Sequence, residues 1–390
     1  MKTTITSSPD AVCLAGNPIT FAVKTDKRLG VGESFLRILC KATFTLNGSV
    51  EHYSGNRNFT VELSQPVEDA GTAVFNLSDA ALTLIRNMQS SIDMNGAHAF
   101  AHYGLIANVH FRTAFVYENQ EEQSTDDESA FAPFVFIVPG AHTDFELLTT
   151  YNGVPLTELA AGGRAMTRKP DGGVLYKGET LIVPTLYTHP AEDPDYVFTL
   201  NTDAVLSVGG QEVARKPHAI DSNELDYLSL PTDGVETEGK FTFSSTPTGD
   251  VSGYFCTRTQ GVRFLRFING YGAIENIAVR AKDKLSYETG GETHSLVQGG
   301  TLVPTDRRYA TKSQPVGVLE LSSGYVPKRW ALWYVQELLT SPRVWIQVGG
   351  KWLPALIESD DECVIYDRTN PEMPHVDFKL RLAVDGVVNL

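Results

Sequence analysis

Apolar and polar positions alternate with a period of two along much of the chain, the pattern of half-buried β-strands. Ile19, Phe21 and Val23 alternate with Thr20 and Ala22. Residues 35–46 predict a longer strand, ended by the hairpin-type pair Asn47-Gly48. Residues 58–63 alternate again, and residues 109–117 and 131–138 predict two more strands. One stretch breaks the pattern. Leu82, Ile85 and Met88 recur at helical spacing behind Ser78, a residue type that caps helix starts, so a short helix is predicted near 79–90. These elements make residues 1–140 a β-sandwich-like unit.

Breakers follow. Gly162-Gly163 and Pro170-Asp171-Gly172-Gly173 frame a stretch, residues 141–170, that reads as a linker with one helical turn over 156–161. Residues 171–260 then carry short, evenly spaced apolar runs at 173–176, 180–187, 195–200, 206–208, 225–230, 240–244 and 253–258. That spacing predicts a second β-sandwich-like unit. Residues 261–390 differ in style. Strands are predicted at 262–268, 273–280, 311–321, 343–348, 352–358, 364–366 and 376–384. A helix is predicted near 327–340, opened by Pro327 and closed by Ser341-Pro342. Trp330, Trp333, Tyr334 and Leu338 form its apolar stripe, interrupted by Glu337. The expected fold is mostly β: two N-terminal sandwich units of the immunoglobulin or fibronectin type, then a C-terminal β-barrel or sheet with one flanking α-helix.

Composition narrows the function classes. The chain has 390 residues, 42% hydrophobic and 20% charged, which is globular and too long for one core. Its net charge of −15 lacks the basic footprint of a nucleic-acid binder, so no sequence-specific nucleic-acid contact is expected. No run of about 18 apolar residues predicts a membrane span. Met1 to Pro9 has no apolar signal core, so synthesis in the cytoplasm is expected. Four scattered cysteines, Cys13, Cys40, Cys256 and Cys363, form no CxxC pair and read as buried thiols, with a Cys13–Cys40 disulfide as the alternative.

No catalytic, metal or cofactor signature stands out: no GxSxG, HExxH or GxxxxGK[ST] occurs. Gly30-Val31-Gly32-Glu33-Ser34 lacks the lysine of a phosphate loop and reads as a turn. His98, His102 and His110 cluster in sequence without a nearby third ligand of carboxylate or thiol type. Residues 118–130 hold six acids and no bases, the composition of a solvated hairpin tip. Glu121, Glu122, Asp126 and Asp127 in this run are candidate interface contacts for a basic partner. Trp345 and Trp352 flank the Gly349-Gly350 turn and are candidate glycan contacts, against the plainer expectation that they pack on Trp330 and Trp333.

The third unit carries a family resemblance. Its residues are Phe264-Leu265-Arg266-Phe267-Ile268-Asn269-Gly270-Tyr271-Gly272-Ala273-Ile274-Glu275 and Leu285-Ser286-Tyr287-Glu288-Thr289. They continue as Trp333-Tyr334-Val335-Gln336-Glu337-Leu338-Leu339-Thr340-Ser341-Pro342-Arg343-Val344-Trp345 and Gly350-Lys351-Trp352-Leu353-Pro354-Ala355-Leu356-Ile357. The order of helix, Ser-Pro, strand, glycine turn and strand resembles the tail-tube-like module of long-tailed phages, as encoded in phages and prophages of gut bacteria. The opening from Ser8-Pro9-Asp10 to Pro18 is similar to the start of the same group. The resemblance implies a structural virion protein of the tail tip, distal tail or baseplate. Its partners would be copies of itself in a ring, other tail or baseplate proteins and a host surface glycan, with no cofactor. The competing expectation is a glycan-binding, adhesin-like sandwich protein, and behind it a glycan hydrolase.

Overall fold

A computed structural model of the chain describes residues 2–47, 58–90, 92, 94–95, 104–117, 122–124, 129–151, 154–189, 198–246, 248–288, 291–295, 308–312, 315–358, 365 and 373–385. The fold is mostly β, in three successive sheet systems.

The first system holds β1 (Thr3–Ser7), β2 (Val12–Leu14), β3 (Thr20–Thr25), β4 (Glu33–Asn47), β5 (Asn58–Val67), β6 (Thr72–Asn76), β7 (Gly104–Tyr117), β8 (Glu122–Ser124), β9 (Ala130–Phe131) and β10 (Val135–Val138). A sheet ordered β1-β3-β6 faces one ordered β2-β10-β7-β4-β5, with β8 and β9 on β7. Leu36, Ile38, Cys40, Ala42 and Phe44 point inward from β4, and the core closes on Phe21, Phe75 and Phe111. Gln65 ties the two sheets at their edge: its Nε2 donates to Val74 O at 2.7 Å and its Oε1 accepts the Val74 N–H at 3.1 Å. The helix α1 (Ser78–Ser90) buries Ala81, Ile85 and Met88. Ser78 is its first residue rather than its cap. Asn76 Oδ1 accepts the Ser78 N–H at 3.1 Å, because the same oxygen also holds Ile19 N–H at 3.1 Å and is fixed at the helix mouth.

Cys13 and Cys40 are free thiols on β2 and β4. Those strands are separated by β10 and β7. Three strand spacings put the two sites about 14 Å apart, well beyond disulfide reach. Burial pushes both thiols up to about 12, with Asp10 adding to the rise at Cys13.

Residues 141–170, expected as a linker, are ordered into short elements. The helix α2 (Asp144–Glu146) has a full capping box between Thr143 and Glu146 and runs into a π-helical turn at Leu147–Tyr151. The helix α3 (Leu156–Leu159) and the strand β11 (Arg164–Ala165) follow.

The second sandwich adds β12 (Gly173–Tyr176), β13 (Thr180–Tyr187), β14 (Thr199–Val208), β15 (Gln211–Asp221), β16 (Glu224–Pro231), β17 (Gly239–Ser245) and β18 (Gly249–Cys256). Its sheets run β11-β13-β16 and β12-β18-β17-β14-β15, around Leu206, Leu228, Phe241, Phe243 and Phe255. The strand β15 was not expected: its polar sequence with Pro217 suits only a sheet edge, which is its place.

The third system comprises β19 (Arg263–Ile268), β20 (Ile274–Val279), β21 (Ala281–Glu288), β22 (Gly291–Ser295), β23 (Arg308–Lys312), β24 (Val316–Ser322), α4 (Lys328–Trp333) with a π-helical continuation at Tyr334–Leu338, β25 (Val344–Val348), β26 (Lys351–Glu358) and β27 (Asp377–Asp385). Seven strands form one antiparallel sheet ordered β20-β19-β25-β26-β27-β24-β21, and β22 pairs with β23 apart from it. No pairing closes it into a barrel among the described residues. The two edge strands β20 and β21 are consecutive in the chain, with Arg280 alone between them. The helix packs Trp330, Ala331, Trp333 and Leu338 into the core of this coiled sheet.

A fourth cluster, shared by all three systems, sits between them. It combines Leu14 and Phe136 of the first, Met166, Ile182 and Tyr227 of the second, and Tyr271, Ile274 and Trp345 of the third. Strands that border it are buried on both faces. In β10, Val135 and Ile137 enter the first core, whereas Phe136 and Val138 enter the shared one. Runs such as Val135-Phe136-Ile137-Val138 and Leu181-Ile182-Val183 are apolar without alternation for this reason.

Candidate functional site

Trp345 faces Pro354, and Trp352 faces Gln347, across the β25–β26 hairpin. Cross-strand partners share a face, so both indoles lie on the same outer side of the sheet. They are not equivalent. Trp345 is buried in the shared cluster, away from Trp330 and Trp333, which pack edge-to-face at 5.3 Å inside the coiled sheet. Trp352 is half-buried, and the Arg266 guanidinium lies 4.0 Å from its ring centre. Burial lowers Arg266 to about 10. A sugar ring would have to displace that guanidinium to reach the indole face.

Glu121, Asp126 and Asp127 lie outside the described residues, as do His98 and His102. Glu122 lies on β8 and forms an ion pair with Arg37 of β4. His110 stacks on Phe131 at 4.4 Å. Among the described residues no group of three or more His, Cys, Asp or Glu side chains could hold a metal ion.

The densest chemistry lies where the three systems meet. Arg168, five residues after the Gly162-Gly163 breaker, is three-quarters or more buried and reaches in three directions. Its Nε and Nη2 donate to the Glu146 carboxylate at 2.6 Å each. Its Nη1 donates to Glu337 Oε1 at 2.7 Å, and Nη2 also donates to Ala141 O at 3.0 Å. The guanidinium lies 4.0 Å from the Tyr271 ring centre, and the Tyr271 hydroxyl donates to Glu146 Oε1 at 3.2 Å. Glu337 completes the link by accepting the Gly270 N–H at 2.6 Å. Gly140 lets the strands come this close: it has φ +94°, and a Cβ there would overlap the Tyr271 backbone.

A second buried group adjoins the first. Asn269 Nδ2 donates to Glu275 Oε1 at 2.5 Å and to Met166 O at 2.9 Å. Lys169 Nζ donates to Asn276 O at 2.7 Å, and the Asn276 amide donates to Glu179. Burial pushes Glu275 up to about 7, against the opposing pull of Lys169, and burial likewise raises Glu179. Glu146 goes the other way. Burial alone would raise it, but hydrogen bonds from Arg168 and Thr143 hold it down at about 2. His142, edge-on to Tyr271, is lowered to about 4, first by burial and then by Arg164. Glu275 and Glu337 are each 1% exposed. The network ties residues of the three sheet systems to one another, with the Glu275 and Glu337 carboxyl groups closed off from solvent.

Sequence reasoning placed Arg168 in a linker and missed it. The usable signal was Glu337, the acid that interrupts the apolar stripe of the C-terminal helix. A carboxylate on a buried face requires a buried cation or several donors.

The second sandwich carries an open groove of about 890 Å3, lined by Asn201, Asp203, Arg215, His218, Thr246 and Asp250 among others. Arg215 is tied to Asp203 at 2.6 Å and to Glu212 at 2.7 Å. At the floor Thr202 and Ser245 share a hydroxyl hydrogen bond of 3.2 Å. Behind it His218 Nε2 lies 3.3 Å from Asp226, and Glu224 is raised to about 7 by burial and by Asp221 and Asp226.

No family model matches the chain, and no curated protein matches it. Among solved structures it is similar to dimeric latent PorU from Porphyromonas gingivalis, at 10% identity and a TM-score of 0.23, over 90% of this chain and 33% of that one. It is also similar to Salmonella alpha-2-macroglobulin reacted with methylamine, at 9% identity and a TM-score of 0.21, over 98% of this chain and 23% of that one. A third similarity is to the FN1–FN3 domains of chicken CNTN1, at 9% identity and a TM-score of 0.20, over 84% of this chain and 94% of that one. The chain spans a third or less of the first two. At these TM-scores the fold rests on the strand topology described above.

Proposed function

We propose that the chain is a non-catalytic building block, a structural subunit of a phage tail tip or distal tail that joins copies of itself in a ring. The observation that carries the reading is the joint. Three β systems are clamped together by the Arg168 network and a shared apolar core, and two carboxyl groups that burial raises at their junction, Glu275 and Glu179, are sealed inside it. That is the construction of a part whose shape must be held, with its polar chemistry spent internally. The virion role itself rests on the resemblance of the third unit. Its partners under this reading are neighbouring tail or baseplate proteins, and its place is the virion.

Light scattering after size exclusion, at several concentrations, tests the reading. A closed ring of several copies or concentration-driven association is expected, and negative-stain images would show the ring. A strict monomer at every concentration would count against it.

A further inference from the structure

The hairpin β14–β15 outruns its neighbour. The strand β14 is paired with β15 along its whole length, from Thr199 opposite Asp221 to Val208 opposite Gln211. On its other side β17 covers it only from Val205 to Val208. The chain turns back between Ser245 and Gly249 into β18, and there the sheet forks. Beyond the fork, Thr199–Ala204 has no strand partner on that side among the described residues. The 890 Å3 groove lies at this fork, with the Thr202–Ser245 hydroxyl pair at its inner end.

An uncovered strand edge presents a row of N–H and C=O groups at strand spacing, which only another extended backbone satisfies in full. Natural sheets block such edges with proline or lysine. Here the blocking residues sit elsewhere: Lys216 and Pro217 lie on β15, the outer strand, opposite Ala204 and Asp203. The inner edge, Thr199-Leu200-Asn201-Thr202-Asp203-Ala204, has neither. Six residues at about 3.3 Å each give an edge of about 20 Å, the length of an ordinary strand.

We infer that this edge is a docking site for an extended, basic segment of a partner protein, which adds to β14 in line with β17. The side chains at the groove set the partner's chemistry. Asp203 and Asp250 line the groove against one arginine, Arg215, which is already held by Asp203 and, from outside the groove, by Glu212. Basic side chains at alternate positions of the added strand would face these acids. The intervening positions would face Leu200, Thr202 and Ala204, which point toward the sandwich interior and favour small apolar residues. Backbone pairing supplies the affinity and the alternate side chains the selectivity. Peptide binding at this edge does not depend on whether the chain closes into a ring, so failure of either idea leaves the other standing.

Fluorescence anisotropy with the full chain and labelled octapeptides tests it. An alternating Lys/Val peptide should bind saturably and an alternating Glu/Val peptide should not. N-methylation of alternate residues of the Lys/Val peptide, which removes its N–H donors on one edge, should weaken binding tenfold or more. Asp203→Asn combined with Asp250→Asn, both exposed positions, should weaken it by about tenfold. Bound peptide should slow amide exchange within 199–204. Absence of saturable binding, equal binding of the N-methylated peptide, or protection confined to other segments would each overturn the assignment.

Discussion

Glu275 makes the joint sensitive to pH in a way that can be isolated. Its carboxyl is 1% exposed, shares the joint with Glu337 and Glu179, and has Lys169 as its nearest cationic influence. Folding raises it from 4.5 to about 7. A carboxyl that is a stronger base in the folded chain keeps its proton there while the unfolded chain releases it. The associated stability is fully present below pH 4.5 and declines as pH rises to about 7, where the folded form also ionises. At about 1.4 kcal/mol per tenfold change in proton affinity, the loss across that window is about 3 kcal/mol. Glu275→Gln removes this dependence while keeping shape and the acceptor for Asn269. The substitution also replaces Glu275 Oε2 with an NH2 group, a donor that must be accommodated in the buried site. That cost is independent of pH and cancels when the two pH values are compared. Urea denaturation of both proteins at pH 4.5 and pH 8 should therefore show the variant gaining about 3 kcal/mol on the wild type between the two conditions. Contributions from Glu224 and the surface carboxyls cancel in the same comparison. If the stability curves of the two proteins run parallel from pH 4.5 to pH 8, Glu275 is ionised in the folded chain and the argument about the joint's charge is wrong.

The remaining predictions concern neighbouring contacts. Arg168→Met leaves Glu337 and Glu146 without their cation and should destabilise the chain by about 3–5 kcal/mol in denaturant melts; an unchanged midpoint would remove the network from any clamping role. Adding Glu337→Gln to Arg168→Met should recover part of that loss, because the uncompensated buried carboxylate is then gone. Trp345→Ala, in the shared core, should cost about 3–5 kcal/mol, whereas Trp352→Ala, which mainly uncovers Arg266, should cost about 1–2 kcal/mol; thermal melts that rank the two the other way would refute their placement. Peptide mapping after mild oxidation should find no Cys13–Cys40 link in the folded protein, since β10 and β7 hold the two strands apart.

Much of the fold was legible because burial on one face writes itself into a strand as alternation. The strand over 180–187 was read to the residue, and β3, β4, β5 and β7 were each found within a few positions. The misses have two physical causes. The edge strand β15 has little to bury, so its sequence carries no alternation, and its Pro217 is a residue that strands tolerate only at an edge. The ends of strands shift when the partner, not the strand itself, sets the length, as where Thr199 and Leu200, the end of one expected run, and the run at 206–208 proved to be parts of the single strand β14. The candidate site was far less legible. Trp345 and Trp352 were visible as large aromatics, but only the register of β25 and β26 puts them on one face and sets Arg266 over Trp352. Arg168 gave no local sign at all, because its partners lie 22 and 169 positions away.

By itself, then, the sequence determined the class of structure: period-two burial, glycine and proline punctuation and two amphipathic helices suffice for a mostly β chain of several units. These signals are local, since each reports how a short segment meets its own core. What only the tertiary structure decided is how the units meet. The runs apolar on both faces, the acid within the helix stripe and Arg168 between breakers acquire their meaning from partners far along the chain. No spacing within one sequence specifies which distant charge will neutralise a buried one, or which strand edge is left uncovered once the sheets have paired.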